Sequence, residues 1–331
     1  MRKRIYVETS CLGDKYTGIS KTIDSLLRSF DDVGIEYYRT CRSDNQRFRS
    51  FLYYNFYLRS FCRKRLNSND VFLIPNNMGK FWILPHVNTW VIVHDLIPLT
   101  QYGYKGIKKF MYKWKMSRLR KASKIIVISE YVKKKLCDEF KIDSSKIDVL
   151  YWQSDEVAIS KGRRSKFYLS IGTGEPRKNV EFLIKHWMEL NTNKDLLLFG
   201  KEWKKGSHTH LKKLIKTYKA QDRIKILGVL TDKELAELYS TAAALIFPSL
   251  EEGFGLPPLE ALSHGCNVIL PKTPINYELY KEVAQMYSIG SVEELRKCII
   301  NAVDDNTTEN VSFSKRYGSF AFQNRLKEIF M

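Results

Sequence analysis

Short runs rich in β-branched and aromatic residues, RIYVET, DVFLIP, TWVIVHD and SKIIVIS, alternate through the first half of the chain with longer stretches such as SKTIDSLLRSF and SEYVKKKLCDEF, where apolar positions recur at helical spacing. Continuous apolar runs of strand length suit strands buried on both faces, and the helical stretches would cover those faces. The pattern predicts strand-helix units around a parallel sheet. It breaks in DVLYWQSDEVAISKGRRSKF, a polar and basic segment that reads as a linker near 152 to 166. A second series then begins. FYLSIG, DLLLFG, IKILG and ALIFPS read as strands, and NVEFLIKHWMEL, HLKKLIKTY, DKELAELYSTA and PLEALSHG as the helices between and after them. The expected fold class is α/β, with two doubly wound domains at 1–158 and 159–331. A last helical pattern, KRYGSFAFQNRLKEIF, is expected to return at about 313–331 and brace the first domain.

Composition agrees with two domains. At 331 residues the chain exceeds the size at which one hydrophobic core keeps growing, and 44% of its residues are hydrophobic. The six cysteines include no C-x-x-C pair and no clustered histidines, so they read as free thiols of a reducing compartment. The basic start MRKRIYVETSCLG has too short an apolar stretch for a signal peptide, and no run approaches the roughly 18 apolar residues that span a bilayer. A cytoplasmic protein, peripheral at most on the inner face of the plasma membrane, is therefore expected. Formal charge is +19, with 29 basic against 16 acidic residues up to position 160 and 26 against 20 after it. Such a field favours an anionic partner, whether nucleic acid, acidic lipid or a diphosphate.

Candidate chemistry concentrates in IFPSLEEGFGLPPLEALSHG. A strand ends, a glycine-rich turn follows, and a helix opens near Pro257 and Pro258. Glycines admit a ligand close to the backbone, and a helix start favours an anion. Glu252 precedes the turn and Glu260 lies in the first turns of the helix, so both carboxylates can accept from hydroxyls in one crevice. Taken alone, the pair reads more readily as a solvated acid and a dipole-complementing one. In GTGEPRKN, Arg177 and Lys178 stand just before a helix start, where two cations can meet a diphosphate, although adjacent basic residues on a loop are commonly just solvated. Gly18, between the first strand and first helix, is either a turn residue or a point of close approach. His94 ends the strand WVIVHD and is directed toward the crevice, where a lone histidine is more often structural than catalytic.

The string Glu252-Gly-Phe-Gly-Leu-Pro-x-x-Glu260 closely resembles the Glu-x7-Glu signature of retaining GT-B glycosyltransferases, family 4. The likeness extends to IGTGEPRKNVEFLI, to KILGVLTDKELAELYSTAAALIFPS, and to HDLIPL and VISEYVKKKL, covering roughly 90 to 265 in order and spacing. The resemblance implies two Rossmann-like domains, the first binding the acceptor and the second a nucleotide-sugar donor across a cleft. It assigns Glu252 to the donor sugar hydroxyls, Glu260 to the ribose, the amides of Phe254, Gly255 and Leu256 to sugar and phosphates, and Arg177 with Lys178 to the diphosphate. His94 becomes a sugar-contacting residue near the reaction centre. Thr173 stands where some relatives carry an arginine, which shifts the weight onto Arg177 and Lys178, and Thr17 replaces one of the two glycines with which relatives present backbone amides to the donor phosphate, leaving that contact to Gly18. The variants look most like bacterial O-antigen or capsule enzymes that use mannose or a deoxyhexose, so GDP-mannose is the expected donor. No cofactor and no metal are expected: no Asp-x-Asp motif is placed beside a diphosphate, and Asp304-Asp305 lies in a late polar segment.

Two stretches mix cations with aromatics, RFRSFLYYNFYLRSFCRKR at 47–65 and YKGIKKFMYKWKMSRLRK at 104–121. They fit interfacial helices on anionic lipid and, equally, ordinary helices with core aromatics; stacking on single-stranded nucleic acid comes third. The expected partners are a nucleotide-sugar donor and a glycan or undecaprenyl-diphosphate-linked acceptor, with an anionic membrane surface as a further candidate and nucleic acid unfavoured. Rival readings are an epimerase or hydrolase of the same fold, a basic nucleic-acid-binding protein, and a non-catalytic partner protein.

Overall fold

The computed structural model describes residues 4–9, 18–40, 58–77, 83, 87–154, 167–302 and 307–331. The contacts divide the chain into two units, one of Met1–Trp152 with Phe320–Met331 and one of Gln153–Ser319. Most of the segment read as the linker, 155–166, lies outside the described residues, as does Asp304-Asp305.

In the first unit, strands β1 (Ile5–Val7), β2 (Tyr37–Arg39), β3 (Val71–Ile74), β4 (Asn88–Val93), β5 (Lys124–Val127) and β6 (Ile147–Val149) form one sheet in the order β2-β1-β3-β4-β5-β6. Every pairing is parallel. The central strands are apolar along their length because helices cover both faces. The helix Gly18–Asp32 shows how: Ile23, Leu26, Leu27 and Phe30 recur at i, i+3, i+4 and i+7, and all four are buried. Burial of this stripe contributes on the order of 1.5–3 kcal/mol per side chain, so one charge at Leu26 would unseat the helix. The helix Glu130–Phe140 starts where the Ser129 hydroxyl accepts the Val132 amide and stops where Lys141 turns left-handed at φ 51°.

The last pattern of the sequence is one helical piece only in part. Gly318 separates a short turn, Lys315–Tyr317, from the helix Ser319–Phe330, and the boundary between the units falls one residue beyond it. Phe330 of that helix packs on Phe30 and Trp90 at ring separations of 4.9 and 5.2 Å, and Phe322 packs on Trp152.

The second unit has strands β7 (Phe167–Ile171), β8 (Asp195–Phe199), β9 (Ile224–Gly228), β10 (Ala244–Ile246), β11 (Asn267–Pro271) and β12 (Gln285–Tyr287) in the order β12-β11-β10-β7-β8-β9, again all parallel. The strand order reverses between β7 and β10, which lie side by side although β8 and β9 intervene in sequence. A crevice opens beyond the carboxyl ends of such a pair, because the helices following its two strands run to opposite faces. The core beneath it gathers Tyr168, Leu183, Trp187, Leu196, Leu198, Ala244 and Ile246.

Candidate functional site

The loops following β7 and β10 converge at this reversal. After β7, Gly174 holds φ +70° and a Cβ there would come within 2.9 Å of the Ser207 side chain, so the loop requires glycine both for its turn and for space. A short turn, Pro176–Lys178, follows, and Asn179, left-handed at φ 54°, leads into the helix Val180–His186. After β10, the Leu250 amide donates to the Arg177 carbonyl at 2.8 Å and so ties the second loop to the first.

That tie brings together side chains more than seventy positions apart. Arg177 Nη1, Lys178 Nζ and Ser249 Oγ all donate to Glu252 Oε1, at 2.7, 2.6 and 2.6 Å. None of these three bonds uses Oε2. Arg177 Nε donates to Glu175 at 2.7 Å and its Nη1 also donates to the Glu251 carbonyl. Lys178 Nζ stands 4.7 Å from the centre of the Phe247 ring. The group is largely withdrawn from water, with the Lys178 and Glu252 side chains only 12% and 11% exposed. Burial pushes the Glu252 carboxyl up, but the charges of Lys178 and Arg177 and the bonds from Lys178 and Ser249 outweigh it and hold it below the usual range. Burial pulls the Lys178 ammonium down, and the attraction of Glu252 only partly offsets this against the repulsion of Arg177.

Sequence reasoning named Arg177, Lys178 and Glu252 as site residues, and here they touch. It missed Glu175, Ser249 and Phe247. Glu175 sits inside the GEPRK string and Ser249 three residues before Glu252, so adjacency was the available signal. Thr173, in the same loop, accepts the Trp203 amide on its carbonyl at 3.0 Å.

The glycine-rich turn leads into the helix Leu256–Ser263 through Gly255, which is left-handed at φ 89°. Pro257 and Pro258 have no N–H, so the amides this helix start can offer come from Leu256 and the residues before it. Tyr280 pins the turn by donating its hydroxyl to the Gly255 carbonyl at 2.8 Å. Burial above all holds that phenol well above its ordinary pKa, and the neighbouring Tyr317, Glu260 and Glu252 raise it further. The Phe254 ring is buried edge-on to Tyr317 at 6.0 Å.

Gly18 and His94 lie in the first unit. Gly18 is the first residue of its helix. His94 directly follows β4 and is buried, stacked on Trp152 at 5.6 Å with an interplanar angle of 16°. Its Nε2 lies 2.7 Å from the Pro75 carbonyl oxygen, which can only accept, so Nε2 carries the proton and Nδ1 keeps its lone pair. Burial holds the ring neutral by lowering its pKa, more than the Pro75 bond raises it. Asn77 fixes this corner: its side-chain oxygen accepts the His94 amide, and its side-chain nitrogen donates to the Asp95 carbonyl and the Tyr112 hydroxyl. Lys115 Nζ donates to the Asn77 carbonyl at 2.8 Å. The Asp95 carboxylate accepts the Ile97 amide and so serves the turn.

Residues 154–318 match the family model described as glycosyl transferases group 1. The O-antigen chain mannosyltransferase RfbU of Salmonella typhimurium is 28% identical over 195 residues, 58% of this chain and 54% of the relative. The serotype-specific mannosyltransferase WbdA of Escherichia coli is 28% identical over 66% of this chain but only 29% of its own length, and the E. coli O-antigen chain mannosyltransferase B is 26% identical over 72% of this chain and 67% of its own. The match thus spans about half of the Salmonella relative and under a third of WbdA. Among solved structures, the lipopolysaccharide outer core galactosyltransferase WaaB superposes with a TM-score of 0.72 over 99% of this chain and 98% of its own, at 13% identity. Anabaena HepE in complex with UDP and glucose gives 0.71 over 99% of both chains, at 15% identity. At such identities the likeness establishes a shared fold, two Rossmann-like α/β domains.

Proposed function

Because the chain belongs, through residues 154–318, to the group 1 glycosyl transferases of GT-B fold, we propose that it moves a hexose from a nucleoside diphosphate sugar to a hydroxyl of a glycan or lipid-linked glycan in bacterial surface-polysaccharide synthesis. The observation that carries this reading is the convergence of Arg177 and Lys178 on Glu252 where the second sheet reverses its strand order. Two cations withdrawn from water, beside a helix start, suit a diphosphate whose charge grows as the glycosidic bond breaks.

Each residue then has a task. Arg177 and Lys178 stabilise the departing diphosphate, and the amides of Phe254, Gly255 and Leu256 assist them. Through Oε1, Glu252 holds both cations in place, which leaves Oε2 to accept from the donor sugar hydroxyls. Glu260 receives the ribose, and Thr173 lines the same loop. With Glu175 and Glu252 balancing Arg177 and Lys178, an arriving diphosphate exchanges partners with carboxylates instead of entering an unpaired basic pocket. His94, neutral with a free Nδ1 lone pair, accepts from a sugar hydroxyl, and Gly18 allows the donor phosphates close to the backbone. The side-chain cations supply the charge neutralisation, so the reading requires no metal and no cofactor.

Retention of anomeric configuration, by front-face attack with the departing phosphate taking the acceptor proton, is part of the proposal. GDP-mannose is the proposed donor, supported by the mannosyltransferase names of the relatives. The chain would work in the cytoplasm or on the inner face of the plasma membrane; among the described residues no helix is long and apolar enough to cross a membrane. Turnover of a panel of GDP-, UDP- and dTDP-sugars tests the function. Slow hydrolysis or transfer of one donor, absent in Arg177→Ala, supports it, and a panel with no turnover for any donor contradicts it.

A further inference from the structure

The helix Gly106–Ser117 carries two apolar faces. Tyr112 and Met116 enter the core of the first unit. On the opposite side Ile107, Phe110, Met111 and Trp114 are 76%, 71%, 62% and 53% exposed. Their spacing of i, i+3, i+4 and i+7 makes one continuous stripe about 10 Å long. Composition had left open whether these aromatics were core or interface, and the burial divides them residue by residue. A run of four large apolar side chains in water marks an interaction surface, whereas single exposed ones need no explanation.

The charge around the stripe has one sign. Exposed Lys105, Lys108 and Lys113 lie beside it, and the Arg118 guanidinium stands 5.0 Å from the centre of the Trp114 ring. Arg120 and Lys121 follow, and from Leu96 to Ser129 the sequence contains no Asp or Glu. We propose that the helix Gly106–Ser117 docks on an anionic lipid bilayer, with Ile107, Phe110, Met111 and Trp114 at the acyl boundary and the flanking cations among the headgroups.

Charge complementarity selects this occupant. A second copy of the same face would oppose cation to cation, with no acid between Leu96 and Ser129 to relieve them. A nucleic acid would satisfy the cations and stack on Phe110 and Trp114, but it would set Ile107 and Met111 against hydrated phosphate. A bilayer takes both the aliphatic and the aromatic side chains and supplies the anions. The docking stands on the helix alone; its use, to hold the enzyme beside a lipid-linked acceptor, rests on the transferase reading above.

Flotation of the full chain with vesicles tests it, using phosphatidylcholine alone and phosphatidylcholine mixed with phosphatidylglycerol. The chain should float with the mixed vesicles, far less with the neutral ones, and less as salt rises. Phe110→Ser with Trp114→Ser, and separately Lys108→Glu with Lys113→Glu, should each weaken partitioning by about tenfold or more. Thermal unfolding and nucleoside diphosphate binding of both variants should match the parent, since every altered side chain is exposed. The proposal falls if the mixed vesicles do not retain the chain, or if Phe110→Ser with Trp114→Ser floats like the parent. It falls equally if that variant instead abolishes a concentration-dependent dimer, or if an oligonucleotide outcompetes the vesicles for the parent. A chain that floats as described yet turns over no nucleotide sugar upholds the docking surface and refutes the transferase reading.

Discussion

Beyond β7 and β10 of the second sheet, four charged side chains crowd two loops, and three donors meet on one carboxylate oxygen of Glu252. Beyond β3 and β4 of the first, a neutral histidine and an asparagine are held by backbone groups, one phenol and one lysine. Both corners follow adjacent strands of a parallel sheet, yet one is built from ionic pairs and the other from hydrogen bonds among neutral groups, its cation, Lys115, donating to a backbone carbonyl. On the proposed function, the contrast fits one architecture to two tasks. Paired charges can exchange partners with a diphosphate, whereas a neutral, fixed imidazole can accept from an uncharged hydroxyl without drawing anions to itself.

Breaking the ionic corner should cost most. Arg177→Ala should lower turnover by about 100- to 1000-fold, the range seen when one preorganised donor to a developing negative charge is removed, while urea titrations report separately the stability lost as Glu175 and Glu252 give up a buried cation. If turnover survives, the charge cluster is structural. Glu252→Ala should next destabilise the second unit by about 2–3 kcal/mol in urea titrations, because Arg177 and Lys178 lose their shared acceptor. That figure lies at the low end for buried pairs because some water reaches the site. In the neutral corner, Asn77→Leu should cost about 2 kcal/mol by removing partners of the His94 amide and the Tyr112 hydroxyl. Nucleoside diphosphate binding in the second unit should persist, and its loss would mean that the two corners are not energetically separate.

The smallest effect is one of pH. Burial pulls Lys115 from its ordinary value of 10.5 down to about 8. Between those values the unfolded chain binds a proton that the folded chain has released, so this group makes stability rise with pH across that window. Urea titrations at pH 7.5 and 9.5 should show the rise in the parent and a smaller one in Lys115→Met. Equal slopes would mean that Lys115 titrates normally.

What the sequence disclosed follows the range of the forces involved. Strands β1, β3, β4, β5 and β7 to β10 were legible because their apolar runs are continuous and buried. The three-residue strands β2 and β12 were not, for they lie at sheet edges, and Tyr37–Arg39 has no fully buried residue. Asn267–Pro271 is buried throughout, yet it opens on a polar asparagine and its terminal proline lacks a ladder donor, which together weaken the strand signal. The helices Pro274–Tyr280 and Val292–Asn301 also went unread, although Thr273 and Ser291 cap them through the amides of Asn276 and Glu294. At the site, the resemblance to a family signature named Arg177, Lys178 and Glu252 but could not show that they touch, because loop closure through the Leu250 amide sets that distance. The His94 tautomer depends on a carbonyl nineteen residues upstream, which no local pattern reveals. The two faces of Gly106–Ser117 share a composition, and only tertiary burial of Tyr112 and Met116 tells them apart.

The central claim, that Arg177 and Lys178 on Glu252 form a diphosphate site, is tested most directly by calorimetric titration of GDP, GMP and guanosine into the parent and into Arg177→Ala. The account predicts that GDP binds the parent more tightly than GMP or guanosine, and that Arg177→Ala removes most of this preference while leaving the weak nucleoside contribution. Equal GDP binding by parent and variant would contradict it and leave the cluster a structural ion pair.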